Sequence, residues 1–196
     1  MEKYVVVSPG RAASNSLTYH LRNSHKKLGI PYQVDNLEMP ITWPEIVPDP
    51  ENWTVVLSTR KDHLAQVLSF YTIMLTKKTY VSKDQVKDLV IENFTIPRYV
   101  FFTFAYGVIF FHERVDKEID LSKFKKVHYF IFEDIIKDWH NTGVALGFDD
   151  WSDTTEGHAM GAGRVWDKVI NKEEVLSWVA ELQKNHTFTV DLNNYS

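Results

Sequence analysis

The residues best suited to chemistry lie close to the start of the chain, in the segment from Ser8 to Leu17, S-P-G-R-A-A-S-N-S-L. Arg11 supplies a permanent, planar positive charge that can bind phosphate oxygens, and the small residues beside it let the main chain approach a ligand closely. The side chains of Ser14, Asn15 and Ser16 add further hydrogen-bond donors. The segment therefore predicts a binding site for a phosphate or a similar anion.

This segment lacks the residues of two common nucleotide-binding motifs. A Walker P-loop needs G-x-x-x-x-G-K-[ST], whose lysine reaches the outer phosphates, and a Rossmann fingerprint needs G-x-G-x-x-G. Neither pattern occurs between Ser8 and Leu17. Taken alone, the segment also has a purely structural interpretation, in which Ser14 caps a helix and Arg11 is solvated.

A second polar pair follows at Arg60 and Ser69. Arg60 suits bidentate pairing with a dianionic phosphate, and Ser69 can add a hydroxyl from the next helix. The alternative is structural: the arginine caps the edge of its own sheet and the serine faces solvent. The two polar segments together, in this order, favour the binding interpretation.

Each polar segment is expected to follow a buried strand and to open a helix. The strands are Tyr4–Val7 and Val55–Leu57, and a further strand is predicted at Tyr32–Val34. Apolar spacing predicts one helix from Ser14 to Leu28 and another that Asp62 caps, with apolar positions at Leu17, Leu21, Leu28, Leu64, Val67, Leu68 and Tyr71. In α/β sheets ligands bind at the carboxyl edge of the strands, where both segments lie.

The two segments resemble the 5′-phosphosulfate and 3′-phosphate binding motifs of sulfotransferases that use 3′-phosphoadenosine 5′-phosphosulfate (PAPS). The first is similar to the family pattern P-[KR]-[SA]-G-[ST]-[ST], with Gly10 in the place of the proline. The second is similar to R-x-D-x-x-x-Q-x-x-S, the spacing of some bacterial carbohydrate sulfotransferases, and its four fixed positions are Arg60, Asp62, Gln66 and Ser69. The resemblance implies PAPS as co-substrate, no metal, and transfer of a sulfuryl group to a hydroxyl or amine.

The resemblance also implies which residues bind the nucleotide. A glycine-rich segment from Gly157 to Trp166 resembles the basic loop that closes over the 3′-phosphate and contributes Arg164, although its residue order differs from the family's. The strand predicted within Lys126–Ile136 resembles a late core strand that ends in an acidic pair, here Glu133 and Asp134. The implied binding set is Gly10, Arg11, Ala12, Ala13, Ser14, Asn15, Ser16, Arg60, Ser69 and Arg164.

Sulfuryl transfer needs a positive group that balances charge on the sulfonate and a base that takes the acceptor's proton. Arg11 is the candidate for the first role. By resemblance to the bacterial enzymes, Glu38 is the candidate base, with Asp35, His20 and His63 as alternatives. A surface carboxylate without a catalytic role is the structural alternative for Glu38.

Composition is that of an ordinary globular enzyme, with 196 residues, 44% hydrophobic and 24% charged. A net charge of −4 gives no footprint for general nucleic-acid binding, and the lack of cysteine excludes disulfides. The start of the chain lacks a targeting signal, so a cytoplasmic location is expected. The apolar run Tyr99–Phe111 is shorter than the roughly twenty residues that span a bilayer. It predicts a buried helix, part of which could form a homodimer face.

These patterns predict a single domain over residues 1–196, an α/β fold of three layers with a central, mainly parallel sheet and a P-loop-like turn after its first strand. The activity that the resemblance implies is PAPS-dependent sulfuryl transfer to a small-molecule or glycan acceptor, or to a lipid head group. Two alternatives stay open: a P-loop nucleotide kinase, and a degenerate nucleotide-binding module without activity.

Overall fold

The computed structural model describes residues 3–9, 11–13, 17, 18, 21, 32–34, 47, 49–77, 91–148 and 162–195. The chain divides into two compact units. Unit 1 comprises Met1–Arg60 and Phe111–Thr155, and unit 2 comprises Lys61–Phe110 and Glu156–Ser196. Along the described residues the elements are β1 (Lys3–Val7), β2 (Tyr32–Val34), β3 (Trp53–Thr59), α1 (His63–Thr76), α2 (Arg98–Glu118), β4 (Lys126–Ile131), α3 (Phe132–Ile135), α4 (Trp139–Ala145), α5 (Ala162–Trp166) and α6 (Lys172–Gln183).

The strands of unit 1 form one parallel sheet. Its order over the described residues is β2-β1-β3-β4, with β1 hydrogen-bonded to β2 and β3, and β3 to β4. The register pairs Val5 with Val55 and Val7 with Leu57. The expected α/β class is therefore confirmed, as are the strands predicted at Tyr4–Val7, Val55–Leu57 and Tyr32–Val34.

Both faces of β1 and β3 are packed with apolar side chains. Tyr4, Val6 and Val56 belong to one buried cluster, and the alternate residues of the same strands belong to another. Their partners on the first face are Leu17, Leu21, Ile135, Trp139, Leu146 and Phe148, and on the second face Val47, Phe111 and Ile119. Burial on both faces explains why these two strands are continuous apolar runs rather than alternating ones.

The late strand differs from expectation in its burial. The sequence predicts a buried core strand within Lys126–Ile136, and β4 does occupy its first part. Every side chain of β4 is nevertheless at least partly exposed, and Tyr129 is 68% exposed. The physical reason is position, because among the described strands β4 pairs only with β3 and ends the sheet. Apolar content alone does not distinguish such a strand from a central one.

Helices build unit 2. Asp62 begins α1 as predicted, because its Oδ1 accepts a hydrogen bond from the Ala65 amide at 2.9 Å. The four predicted apolar positions of α1 are buried, and they pack in one cluster with α2, α5 and α6, namely Leu64, Val67, Leu68 and Tyr71. The cluster also takes in Phe188 and Tyr195 near the end of the chain.

Helix α2 contains the whole apolar run Tyr99–Phe111, in which a helix was predicted, and continues to Glu118. Val100, Phe101 and Ala105 are buried, but Tyr99 is 75% exposed and Phe110 is 47% exposed. The predicted helix is therefore buried along one side, and Tyr99 and Phe110 lie exposed on the other. None of the described helices has the length and hydropathy of a membrane-spanning segment.

The helix predicted from Ser14 to Leu28 is described at three positions. Leu17, Thr18 and Leu21 are helical, and the amide of Leu17 donates to the carbonyl of Ala13 at 2.9 Å. Both leucines are buried, as their spacing predicts. Leu28 lies outside the described residues.

Candidate functional site

Two buried serines stand at the carboxyl ends of the neighbouring strands β1 and β3. Each directly follows or closes an apolar run, Ser8 after Val7 and Ser58 after Leu57. The parallel register that pairs Val7 with Leu57 brings the two serines to the same level of the sheet. Both are fully buried. The site is therefore built from the sheet edge where ligands bind in α/β folds.

The loop after β1 has a strained main chain. Arg11 has φ of 55° and Ala13 has φ of 68°, in the left-handed region that side chains other than glycine rarely adopt. Among the described non-glycine residues, the other one with positive φ is Lys77, which has the ordinary role of ending α1. Left-handed residues separated by a residue of negative φ turn successive amides toward one concave side, the arrangement of anion-binding nests. Strain of this kind persists where surrounding contacts hold it in place.

Two donors from the end of β3 hold this loop. The Ser58 hydroxyl donates to the carbonyl of Ala12, and Nη1 of Arg60 donates to the carbonyl of Arg11 at 3.3 Å. In a trans peptide the C=O and the following N–H point in opposite directions. The amides of Ala12 and Ala13 therefore point away from these donors. No hydrogen bond between described residues uses either amide. We call Arg11–Ala13, with Ser58 and Arg60, the loop cradle.

Arg60 itself is buried and contacts other residues of unit 1. Its side chain is 8% exposed, and its Nε lies 3.3 Å from Oε1 of Glu133. Its guanidinium carbon lies 4.4 Å from the centre of the Phe132 ring. The predicted position at the end of a strand is confirmed, and the guanidinium joins the loop after β1 to the start of α3. Its predicted role at a 3′-phosphate stays a prediction.

Two buried hydroxyls beside the loop have no hydrogen-bond partner among the described residues. They are Oγ of Ser8 and Oγ1 of Thr18, which belong to residues 0% and 4% exposed, and no described residue pairs with either. Buried hydroxyls are usually satisfied, because an unmade hydrogen bond away from water is costly. A bound anion would accept hydrogen bonds from groups of this kind.

The remaining predicted binding residues fall into two sets. Ser69 lies half-buried in α1 and Arg164 lies exposed in α5, and both belong to unit 2. Gly10, Ser14, Asn15 and Ser16 are outside the described residues. Arg11, Ala12, Ala13 and Arg60 are thus the predicted residues that the structure brings together.

Of the candidate bases, one is described. His63 is buried at the start of α1, where its Nδ1 accepts a hydrogen bond from the Thr189 amide at 3.2 Å. Its ring lies edge-on to Phe188, with centroids 5.3 Å apart. These contacts give His63 a structural task in unit 2. Glu38, Asp35 and His20 lie outside the described residues, and their proposed roles stay predictions.

Sequence reasoning missed three residues of this site as contributors: Ser8, Ser58 and Glu133. A signal for the serines was present, since V-V-V-S and V-V-L-S each end an apolar strand in a small hydroxyl residue. Glu133 was noted within an acidic pair, but nothing in the sequence connects it with Arg60. That link depends on β3 and β4 being neighbours in the sheet.

The described residues contain no group of three or more His, Asp or Glu side chains that could hold a metal ion. Comparison with known proteins adds no relative. No family model matches the chain, and neither a curated protein nor a solved structure is found to be similar to it.

Proposed function

We propose that the chain is a PAPS-dependent sulfotransferase with a three-layer α/β/α fold and a P-loop-like turn after β1. The observation that carries this proposal is the left-handed conformation of Ala13, with φ of 68°. In the family pattern P-[KR]-[SA]-G-[ST]-[ST], Ala13 occupies the place of the glycine, the residue that adopts positive φ at least cost. Ala13 thus adopts the left-handed conformation that suits the glycine of the pattern, although alanine adopts it at a higher cost.

The features of the loop cradle favour binding of the anionic 5′ end of the nucleotide. The Ala12 and Ala13 amides are turned away from Ser58 and Arg60, and Arg11 adds a positive charge to the same loop. Main-chain amides at the carboxyl end of a strand favour a phosphate or sulfonate group. Apolar packing on both faces of β1 and β3 supports the three-layer arrangement.

The proposed reaction is an in-line displacement at sulfur. The acceptor's oxygen or nitrogen forms a bond to sulfur while the bond between sulfur and the bridging phosphate oxygen breaks. Adenosine 3′,5′-bisphosphate leaves with the electron pair of that bond, and a base takes the acceptor's proton. Arg11 balances negative charge at the sulfonate and the leaving phosphate. We propose Glu38 as the base and a small-molecule or glycan acceptor.

Calorimetry tests the nucleotide specificity on which the proposal depends. We expect adenosine 3′,5′-bisphosphate to bind without a divalent cation, and ATP to bind more weakly whether or not magnesium is present. The opposite preference, with tight binding of ATP that requires magnesium, would favour a P-loop kinase and contradict the proposal.

Turnover separates an enzyme from a binding module. With PAPS labelled in its sulfuryl group, we expect label to pass to an acceptor or, slowly, to water as sulfate. Glu38→Gln is expected to abolish transfer while leaving the affinity for adenosine 3′,5′-bisphosphate unchanged. Binding without any release of label from the unaltered protein would identify a degenerate module.

A further inference from the structure

Glu133 and Arg60 form the least exposed ion pair between described side chains. Their side chains are 23% and 8% exposed, so the pair is much less hydrated than an ordinary surface ion pair. The remaining ion pairs among the described side chains involve groups at least 33% exposed. A pair with one member so deeply buried is costly to break, because the remaining charge is left without compensation.

Three contacts with described residues hold the Arg60 guanidinium within unit 1. Nε faces Glu133, Nη1 donates to the Arg11 carbonyl, and the guanidinium plane lies against Phe132. The carboxylate of Glu133 compensates the positive charge and would repel a phosphate dianion that approached the same guanidinium. Arg60 is thus better placed to shape the loop than to bind a second phosphate.

We propose that Glu133 is a positioning residue, which fixes the Arg60 guanidinium so that Arg60 holds the Arg11 carbonyl and leaves the Ala12 amide facing the 5′ end of the nucleotide. The proposal rests on the function proposed above. It moves the main task of Arg60 from the 3′-phosphate to the loop that holds the 5′-phosphosulfate.

Loss of the Glu133 carboxylate would change the loop through Arg60. Without the carboxylate, the guanidinium can turn on its flexible stem and lose its geometry toward the Arg11 carbonyl. The peptide between Arg11 and Ala12 then loses the hydrogen bond from Arg60 and can rotate. This rotation would turn the Ala12 amide out of the cradle. Since Arg11 and Ala13 are strained, the loop then relaxes toward negative φ.

Two nucleotides distinguish this role from direct binding of the 3′-phosphate: adenosine 3′,5′-bisphosphate and adenosine 5′-monophosphate, which lacks the 3′ group. We expect Glu133→Ala to weaken both by a similar factor, roughly tenfold. Glu133→Gln keeps an acceptor for Arg60 but no charge, and its affinities should lie between those of the alanine variant and the unaltered protein. If Arg60 served the 3′-phosphate, removal of Glu133 would instead tighten binding of the bisphosphate alone, and this result would overturn the proposal.

Arg60→Lys is the second variant, in case Glu133→Ala does not fold. It keeps the charge but loses the planar fork, so we expect equal weakening for the two nucleotides. Weakening confined to the bisphosphate would overturn the proposal. Glu181→Ala is the matched control, because Glu181 pairs with Arg98 at 2.8 Å on an exposed surface. Its nucleotide affinities should not change.

A measurement without ligand decides the proposal independently of the proposed function. Backbone carbon chemical shifts report whether Arg11 and Ala13 keep positive φ. We expect both to lose the left-handed signature in Glu133→Ala and to keep it in Glu181→Ala. Unchanged shifts in the first variant would refute the positioning role. Failure of the unaltered protein to bind either nucleotide would refute the proposed function and leave this result to stand by itself.

Discussion

The loop cradle in unit 1 and a polar network in unit 2 both contain buried polar groups, but they differ in how these groups are hydrogen-bonded. The network, which we call the C-terminal clamp, joins Asp62 and His63 to Thr189, Asn194 and Tyr195. The Tyr195 hydroxyl lies 2.8 Å and 2.9 Å from the two carboxylate oxygens of Asp62, and Asn194 donates to the same group at 3.0 Å. The cradle instead keeps two strained residues and directs two amides away from its own donors.

This difference separates stability from function. In the clamp, buried acceptors meet protein donors, so the network stabilises the fold and leaves little for a ligand to gain. In the cradle, Ser58 and Arg60 donate to main-chain carbonyls, and no described residue pairs with the amides of Ala12 and Ala13 or with the nearby hydroxyls of Ser8 and Thr18. Changes in the clamp should therefore affect unfolding, whereas changes in the cradle should affect binding and strain.

The largest effect is expected in the clamp. Tyr195→Phe removes the hydroxyl that donates to the almost fully buried Asp62 carboxylate, and should lower the free energy of unfolding by about 2 kcal/mol. Tyr129→Phe is the matched control, because Tyr129 is 68% exposed, and should change stability by less than about 0.5 kcal/mol. Urea unfolding measures both variants. Equal losses would show that the clamp contributes no special stability.

In the cradle, a pair of glycine substitutions should act with opposite signs. Ala13→Gly relieves the left-handed strain and should raise the free energy of unfolding by roughly 0.5 kcal/mol, whereas Ala12→Gly should lower it by about 1 kcal/mol. The difference arises because Ala12 has no positive φ to relieve and is fully buried. Chemical denaturation of the two variants in parallel checks the prediction. A loss of similar size at both positions would contradict a strained cradle.

The smallest effect concerns the amino ends of the strands in unit 1. The Lys3 ammonium, and then the indole N–H of Trp53, hold the pKa of Asp49 at about 2, below its usual value of 3.8. Because the folded pKa lies below the unfolded one, this contribution to stability is present above about pH 4 and is lost as the pH falls through about 2. We expect Asp49→Asn to flatten the loss of stability over this range.

Acid titration of urea midpoints measures this dependence. Lys3→Gln should flatten it in the same way, since Lys3 is the main cause of the lowered pKa. An unchanged acid profile in both variants would show that the amino ends of β1 and β3 contribute no such linkage. Agreement would place ordinary polar stabilisation at one end of these strands and the strained cradle at the other.

Much of the framework could be predicted from local patterns. The runs Tyr4–Val7 and Val55–Leu57 are strands buried on both faces, and Asp62 caps α1 as its position predicts. Arg60 was expected at a strand end and lies there. Each of these features depends on neighbours in the sequence.

The features that escaped prediction depend on which elements become neighbours. The exposure of β4 follows from its place at the end of the described sheet, and the pairing of Arg60 with Glu133 follows from β4 lying beside β3. The positive φ of Arg11 and Ala13 could not be inferred from an alanine-rich loop, because alanine usually avoids that region. This loop conformation occurs together with tertiary hydrogen bonds that Ser58 and Arg60 donate to the carbonyls of Ala12 and Arg11.

We propose above all that the main chain of the loop cradle binds the 5′ end of an adenosine nucleotide. Amide chemical shifts during titration with adenosine 3′,5′-bisphosphate test it most directly. We predict that the amides of Ala12 and Ala13 shift among the most strongly in the protein and saturate together with the binding heat. Saturable binding that leaves both amides unshifted, or no binding of the nucleotide, would contradict the account.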